Sequence, residues 1–314
     1  MIYSNCKINL GLNILKKRED GYHELDMVMM PVDFNDVLKY EDYGEKGDLI
    51  LEVSDTRIPI DEKNIVRKAY NLYFDNSNTP RQKIKVFLDK KIPHEAGLGG
   101  GSSNAAFILR KLNDKYKLYT NEELEKIALK VGADVPFFIR NKSARVTGIG
   151  EKIEEIENNL SSEILLIKPQ QGMSTGQVYS YYKDNKKDLK MADIMSIVKA
   201  LKENNLTQLL KNIENSLEQL IFKKDSSFRD LKNELEDALA KKIFLSGSGS
   251  CFFAFCENGN FDTSKLDKKN VFYKKIFADL EYQELEKISK KTFIATLKSG
   301  DNIFEVKFQY CLLN

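Results

Sequence analysis

The sequence predicts an α+β protein of two domains, and three observations carry this prediction. The chain of 314 residues is long enough for about two domains with ample cores. Strand-like alternation and helix-like spacing of apolar residues are interspersed along both halves. An acidic segment ending at Glu157 resembles a linker or a solvated face, so we place the domain boundary near residues 155–162. The expected domains are residues 1–158 and 159–298, followed by an added strand within 299–314.

The composition excludes several classes of function. Lys and Arg number 49 against 47 Asp and Glu, so the net charge of +2 gives no basic footprint for nucleic acid. No apolar stretch approaches the length of a membrane span, and no signal peptide is visible at the start. The four cysteines lack CxxC spacing, and no histidine cluster completes a zinc site. We expect a cytoplasmic protein with reduced cysteines and neither a nucleic-acid nor a membrane partner.

The first predicted strand covers residues 7–14. Apolar residues alternate there with polar ones, which predicts a half-buried strand with one apolar face. Lys7 and Asn9 share the opposite face, which on this evidence alone suits solvent. Tyr22 and His23 follow an Asp-Gly turn, and loops commonly carry binding groups, although an exposed histidine is more often inert.

Further strands are predicted at residues 27–32 and 49–53, and the glycines at 44 and 47 predict a hairpin between them. A helix at 64–73 and a strand at 84–88 come next. They lead into a glycine-rich loop, in which glycine fills four of the five positions from Gly97 to Gly101.

A helix is predicted directly after this loop, at residues 104–112. A glycine loop between a strand and a helix presents free N–H groups and the positive end of the helix dipole to an anion. The pattern therefore predicts a phosphate cradle, and a tight structural turn is the alternative.

Asp134 is the single acid in a short apolar stretch, residues 133–138. The stretch follows a helix that begins at a capping box, Thr120 to Glu123, and ends at Gly132, the expected C′ glycine. A poorly solvated carboxylate needs a partner or a task, but a helix-capping or turn aspartate is the alternative.

The second half is predicted to contain a strand at 164–167 and three amphipathic helices at 194–201, 206–220 and 228–239. A second glycine–serine loop, residues 246–250, joins two strands and taken alone suits a plain hairpin. A helix at 280–288 and a strand at 293–297 are predicted to complete the domain. The final strand at 303–313 is expected to cover a sheet edge.

Taken together, five motifs resemble those of the GHMP small-molecule kinases in order and spacing. They are Lys7 to Leu10, Asp20 to His23, Gly97 to Ala106, Gly132 to Phe138 and Ser246 to Ser250. The glycine loop is shared across the family. The Lys-Ile-Asn start, the Asp-Gly-Tyr-His turn and the Gly-Ala-Asp-Val-Pro-Phe-Phe stretch resemble the members that act on a cytidine diphosphate-linked methylerythritol. The resemblance covers roughly residues 1–298.

The resemblance implies a two-domain GHMP-kinase fold with the active site in the cleft between domains. It implies a ribosomal-protein-like βαβ domain first, with a left-handed crossover that departs from the usual handedness, and a ferredoxin-like α+β domain second. The implied reaction is ATP-dependent phosphorylation of the 2-hydroxyl of 4-diphosphocytidyl-2-C-methyl-D-erythritol, in the non-mevalonate route to isoprenoid precursors. The implied cofactor is Mg²⁺ beside ATP, and the expected assembly is a monomer or a weak homodimer.

The same resemblance implies the roles of individual residues. Asp134 would take the hydroxyl proton, Lys7 would stabilise Asp134 and the developing charge, and Asn9 would orient the acceptor. The ATP phosphates would be held by Pro93, His94, Glu95, Ala96, Gly97, Leu98, Gly99, Gly100, Gly101, Ser102 and Ser103. Ser103 is also the candidate contact to Mg²⁺.

For the substrate, Tyr22 and His23 would recognise the cytosine, on which Tyr179 would stack. Gly247 and Gly249 would close the cleft from the second domain. His94 and Glu95 stand where smaller or apolar residues are commoner in the family, which leaves the adenosine-side contacts open.

Two alternatives remain at this point. The first is a kinase of the same family that acts on mevalonate or homoserine, although Tyr22, His23 and Tyr179 suit a pyrimidine better. The second is a non-catalytic nucleic-acid-binding protein, since part of this fold also occurs in ribosomal proteins. The balanced charge and the Lys7/Asp134 pair argue against it. A P-loop kinase is excluded because no GxxxxGK[ST] motif occurs.

Overall fold

The computed structural model describes residues 1–184, 188–256, 263, 266, 272–277, 289–299 and 302–312. The strands in these ranges are β1 (Ile2–Lys17), β2 (His23–Lys46), β3 (Leu49–Val53), β4 (Gln82–Asp89), β5 (Ala144–Gly148), β6 (Lys152–Glu155), β7 (Glu163–Lys168), β8 (Phe244–Leu245), β9 (Phe252–Cys256), β10 (Phe272–Phe277), β11 (Ser289–Ser299) and β12 (Asn302–Leu312). The helices are α1 (Ile65–Asp75), α2 (Gly100–Tyr116), α3 (Asn121–Val131), α4 (Val135–Arg140), α5 (Thr175–Ser180), α6 (Ile194–Lys202), α7 (Leu206–Asn212), α8 (Ser216–Lys224) and α9 (Ser226–Leu239), with a 3₁₀ turn at Tyr181–Asp184.

The first sheet has the strand order β3-β4-β2-β5-β6, and β1 pairs with β2. Strands β3 and β4 run parallel and are joined by α1, whereas β2 pairs antiparallel with β4. The predicted hairpin at Gly44 and Gly47 is therefore wrong, because β4 lies between β2 and β3. Gly47 packs so closely on Lys83 that an added Cβ would lie 2.7 Å from the Lys83 Cβ, and this contact lets the chain pass across the start of β4.

Strand β1 changes its buried face midway. Asn9 pairs with Met29 and Gly11 pairs with Val28, so Leu10 is an extra, unpaired residue. Such a bulge reverses the alternation of side chains beyond it. Ile8 and Leu10 consequently pack in one hydrophobic cluster, whereas Leu12 and Ile14 pack in another. The prediction of a single apolar face is therefore wrong. The interpretation of Lys7 and Asn9 as a solvated face is also wrong, because both residues are buried.

The second sheet is antiparallel with the order β10-β7-β9-β8, and helices α6 to α9 come from the same half of the chain. The predicted helix at 206–220 is two helices, α7 and α8. The break occurs because the Asn215 side chain accepts hydrogen bonds from the backbone N–H groups of Leu217 and Glu218 and so caps α8. Strand β10 was not predicted.

The C-terminal strands form a sheet of their own. Strands β11 and β12 pair antiparallel with each other across Ser299 and Asn302. Both predicted strands therefore exist, but in the described part of the chain they do not extend the four-stranded sheet. The predicted helix at 280–288 lies outside the described residues.

Smaller expectations have mixed outcomes. The capping box of Thr120 and Glu123 is confirmed. The helix α3 ends at Gly132 as predicted, but Gly132 is the C-cap residue, with an extended backbone (φ −178°), and not the C′ residue. The acidic segment contains the edge strand β6 and is not a linker throughout. Among the described residues, no helix is long and apolar enough to cross a membrane.

Candidate active site

A cavity of about 480 Å³ brings together residues from both halves of the sequence. One wall is the glycine loop, and every residue from Pro93 to Ser102 lines it. The first two strands contribute Lys7, Asn9, Leu12, Leu25 and Met27. The remaining lining residues are Ile58, Pro59, Lys63, Asn64, Ile65, Val66, Leu88, Lys90, Asn104, Ala133, Asp134, Ile149, Thr175, Tyr179, Leu217, Gly247 and Ser248.

Helix α2 begins earlier than predicted, at Gly100, so that Ser102 and Ser103 lie in its first turn. Gly99 precedes it in a left-handed conformation, φ 69°, and no side-chain hydrogen bond caps the helix. The first N–H groups of a helix have no intrahelical partner and carry the positive end of the dipole. The cavity wall at this point therefore suits an anion.

Lys7 and Asp134 face each other in the cavity, with 4.0 Å between Lys7 Nζ and Asp134 Oδ2. The ammonium group also donates to Asn9 Oδ1 at 2.5 Å and to the Gly97 carbonyl at 2.8 Å. Burial lowers the pKa of Lys7, and the negative charge of Asp134 partly offsets this shift. Asp134 lies in a turn at the N-cap position of α4, but its side chain makes no capping hydrogen bond, so its carboxylate does not cap the helix.

The aromatic residues form a stack at the cavity. The rings of His23 and Tyr179 are stacked with centroids 5.0 Å apart, and Tyr182 contacts His23 edge-on at 5.1 Å. His23 Nε2 is buried and makes no hydrogen bond within the described residues. Burial lowers the pKa of His23, which favours the neutral imidazole. Tyr179 lines the cavity, whereas Tyr22 is 56% exposed and does not.

The two glycine loops are in direct contact. Ser246 Oγ donates to the Gly97 carbonyl at 3.0 Å, and the Ser250 N–H donates to the Glu95 carbonyl at 3.2 Å. Thr175 Oγ1 and Ser248 Oγ are hydrogen-bonded at 2.8 Å beside the cavity. The second loop is a hairpin between β8 and β9, and it also forms part of the cavity.

Most of the sequence-predicted site residues meet at this cavity. Lys7, Asn9, Asp134, Tyr179, Gly247 and residues 93–102 line it. Tyr22, His23, Ser103 and Gly249 do not line it. His23 nevertheless stacks on Tyr179, which does line the cavity. Ser103 is fully buried, and its hydroxyl has no hydrogen-bond partner among the described residues.

Several cavity residues escaped the sequence analysis, among them Lys63, Asn64, Lys90, Asn104 and Thr175. Asn64 is the N-cap of α1, and an asparagine before a helix-like pattern is a detectable signal. Lys90 belongs to an ordinary lysine-rich segment at the end of β4. Only its neighbours in the fold distinguish it from an exposed lysine.

The family model for the N-terminal domain of GHMP kinases matches residues 64–142, and the model for their C-terminal domain matches residues 197–269. A 4-diphosphocytidyl-2-C-methyl-D-erythritol kinase of Fusobacterium nucleatum is 49% identical over 257 residues, which is 81% of this chain and 87% of that relative. The kinase of the same name from Clostridium tetani is 39% identical over 81% of this chain and 90% of that relative. A crystal structure of 4-(cytidine 5'-diphospho)-2C-methyl-D-erythritol kinase superposes with a TM-score of 0.73 at 27% identity, covering 88% of this chain and 98% of that one.

Proposed function

The chain belongs to the GHMP kinase family, and we propose that it transfers the γ-phosphoryl group of ATP to the 2-hydroxyl of 4-diphosphocytidyl-2-C-methyl-D-erythritol. The observation that carries this proposal is the position of the Lys7/Asp134 pair, which lines the same cavity as the glycine loop and the uncapped start of α2. A phosphate cradle and a candidate proton acceptor therefore share one cavity. The relatives that bear this substrate in their names support the choice of acceptor.

Asp134 is the proposed general base. Its carboxylate takes the proton of the 2-hydroxyl as the oxygen forms a bond to the γ-phosphorus, and the bond from that phosphorus to the leaving ADP oxygen breaks. Lys7 stabilises the ionised carboxylate and the negative charge on the transferring group. Asn9 accepts a hydrogen bond from Lys7 and so orients the ammonium as well as the acceptor.

The proposed ATP site comprises the loop from Pro93 to Ser103 and the first turn of α2. When bound, Mg²⁺ would neutralise part of the negative charge of the phosphates. The described residues contain no group of three His, Cys, Asp or Glu that could hold a metal ion. Mg²⁺ usually keeps several waters and is bound largely through substrate phosphates, so the residues present would fit it with Ser102 as an oxygen donor on the cavity wall. Ser103 fits this role less well, because it does not line the cavity.

The proposed cytosine site is the aromatic cluster. Tyr179 offers its ring to the base, and the unpartnered Nε2 of His23 offers a hydrogen-bonding group. Tyr22 is the neighbour of His23 in the chain, but it is exposed and does not line the cavity, so it is the weaker candidate for base recognition. In this proposal, the second glycine loop with Gly247 and Gly249 closes over the acceptor. We further propose that the protein is cytoplasmic, because Cys6, Cys251 and Cys256 are buried and unbridged, and that it is a monomer or a weak homodimer.

The direct test measures ADP release with ATP and three acceptors in parallel. We expect activity with the cytidyl substrate and none with mevalonate or homoserine. Activity with only one of the latter two would overturn the proposed substrate and leave the kinase family intact.

Size-exclusion chromatography with light scattering tests the proposed assembly. A stable trimer or larger species would contradict a monomer or weak homodimer.

A further inference from the structure

We infer that Asp36, which does not line the cavity, is a positioning residue for ATP. Its buried carboxylate holds Lys90 and both ends of the glycine loop in the arrangement that receives the nucleotide. The inference rests on the proposed kinase function, since it assigns a role within the same nucleotide site. It adds a residue of β2, a strand that none of the sequence motifs for ATP includes.

Asp36 is fully buried, and its two oxygens bond to opposite flanks of the glycine loop. Oδ1 accepts from the backbone N–H groups of Lys91 at 2.7 Å and Ile92 at 2.8 Å, directly before the loop. Oδ2 accepts from Asn104 Nδ2 at 2.9 Å, in the helix that follows the loop. One carboxylate therefore fixes the distance between the two ends of the phosphate cradle.

The same Oδ2 forms an ion pair with Lys90 Nζ. Lys90 lines the cavity, although its side chain is almost entirely buried. A Cβ built on Gly100 would lie 3.3 Å from Lys90 Nζ, so the ammonium rests against the first residue of α2. Its positive charge adds to that of the helix start, where the phosphates of ATP are proposed to bind.

Asn104 completes the arrangement. Its Nδ2 also donates to Ser4 Oγ at 2.7 Å, and its Oδ1 accepts from Lys90 Nζ at 3.4 Å. The lysine is thus held from two sides. A lysine side chain has many rotamers, and an ammonium fixed beforehand binds an anion without losing that freedom.

A purely structural role is the rival explanation, because a carboxylate that ties β2 to a loop also stabilises the fold. Buried ion pairs contribute little net stability compared with apolar residues of the same size. The two roles differ in what they predict for nucleotide affinity. If the role is purely structural, substitution of Asp36 changes the free energy of unfolding and leaves the affinity of the folded protein for nucleotide unchanged.

The test measures the Kd of ADP by calorimetry in the absence of acceptor, for the wild type, Asp36→Asn, Lys90→Met and the double variant. We expect each single change to raise the Kd roughly tenfold, as for one charge-assisted hydrogen bond. We expect the double variant to be no weaker than Lys90→Met, because the two residues act as one unit. The KM of the acceptor should stay at its wild-type value.

Asp33→Asn is the matched control. Asp33 lies on the same strand, is half-buried and accepts from Asn35 Nδ2 at 2.6 Å, and within the described residues it makes no hydrogen bond or ion pair with the glycine loop. It should keep the wild-type Kd of ADP. An unchanged Kd in Asp36→Asn, or effects of Asp36→Asn and Lys90→Met that simply add, would overturn the inference.

If Asp36→Asn does not fold, Lys90→Met and Asn104→Ala carry the test. Weaker ADP binding in both folded variants supports the inference, and wild-type affinity in both overturns it. Failure of the proposed function is a separate result. A wild type that binds ADP but does not phosphorylate the cytidyl substrate would refute the proposed acceptor and leave the role of Asp36 testable.

Discussion

Ser246 Oγ donates a hydrogen bond of 3.0 Å to the carbonyl of Gly97, although 149 residues separate the two in the chain. Lys7 Nζ donates to the same carbonyl at 2.8 Å. A single backbone oxygen therefore joins the phosphate loop, the second glycine loop and the buried lysine. The position of Lys7 depends on both halves of the chain.

This junction predicts that Gly97 accepts no side chain. Its φ is +70°, and a Cβ would lie 2.0 Å from the carbonyl oxygen of Ser246. We expect Gly97→Ala to destabilise the fold by about 2–4 kcal/mol and to remove most of the activity, because the two loops are forced apart. Urea unfolding and the rate of ADP release measure the two effects.

Gly176→Ala is the control for this substitution. Apart from its chain neighbours and the backbone of its own helix, no atom of the described residues lies within 4 Å of the Cβ position at Gly176, and its φ is not in the left-handed range. It should keep wild-type stability and activity. A Gly97→Ala protein as stable as Gly176→Ala would show that the two loops do not pack as described.

Asp134→Ala removes the proposed base. We expect kcat to fall by about 10²–10⁴ at an unchanged unfolding free energy, because the hydroxyl proton loses its acceptor. Asp114→Ala, an exposed aspartate of α2, is the control and should keep full turnover. Near-normal turnover in Asp134→Ala would refute its role as base.

Lys7→Ala removes the charge that faces Asp134. We expect kcat to fall by roughly 10²-fold or more, because both the carboxylate and the transferring phosphoryl group lose their counter-charge. Single-turnover kinetics with saturating ATP isolates this effect from nucleotide binding. A variant that lost only ATP affinity, with its single-turnover rate intact, would show that Lys7 acts in binding alone.

Tyr179→Ala tests the stacking role. Removing one base–aromatic contact weakens binding by about 1–3 kcal/mol, so the KM of the cytidyl substrate should rise while the KM of ATP stays unchanged. Tyr179→Phe keeps the ring and should behave as the wild type. An equal rise in KM for both variants would assign the effect to the phenol hydroxyl.

His23 predicts a dependence of stability on pH. Burial lowers its folded-state pKa below the ordinary value of 6.5, so the unfolded chain binds the proton more readily. The stability contributed by neutral His23 is present above pH 6.5 and is lost as the pH falls below it. Urea unfolding between pH 7.5 and 5 should show the wild type losing stability relative to His23→Gln. Parallel curves for the two proteins would contradict this.

The sequence motifs were sufficient to locate the cavity, because the residues with chemistry lie in short contiguous patterns. Lys7, Asp134 and the loop from Gly97 to Gly101 meet as the family resemblance implies. The residues that escaped prediction, Asp36 and Lys90, have no local pattern. The two residues lie 54 positions apart in the chain, and only the fold brings them together.

Two errors in the fold, at the first strand and at the predicted hairpin, have a common cause, since both depend on pairing between distant segments. Alternation over residues 7–14 gave no sign of the bulge at Leu10, which depends on the register with β2. The glycines at 44 and 47 looked like a hairpin, but β4, which follows later in the chain, pairs with β2 instead. The handedness of the crossover from β3 to β4 and the domain boundary stay predictions.

The central claim is transfer of phosphate to one hydroxyl of one acceptor. Phosphorus NMR of the product formed from ATP and 4-diphosphocytidyl-2-C-methyl-D-erythritol tests it most directly. We predict a new phosphomonoester on the 2-hydroxyl, formed in equal amount with ADP and absent with Asp134→Ala. ADP accompanied by free phosphate, or a phosphomonoester on another hydroxyl, would contradict the account.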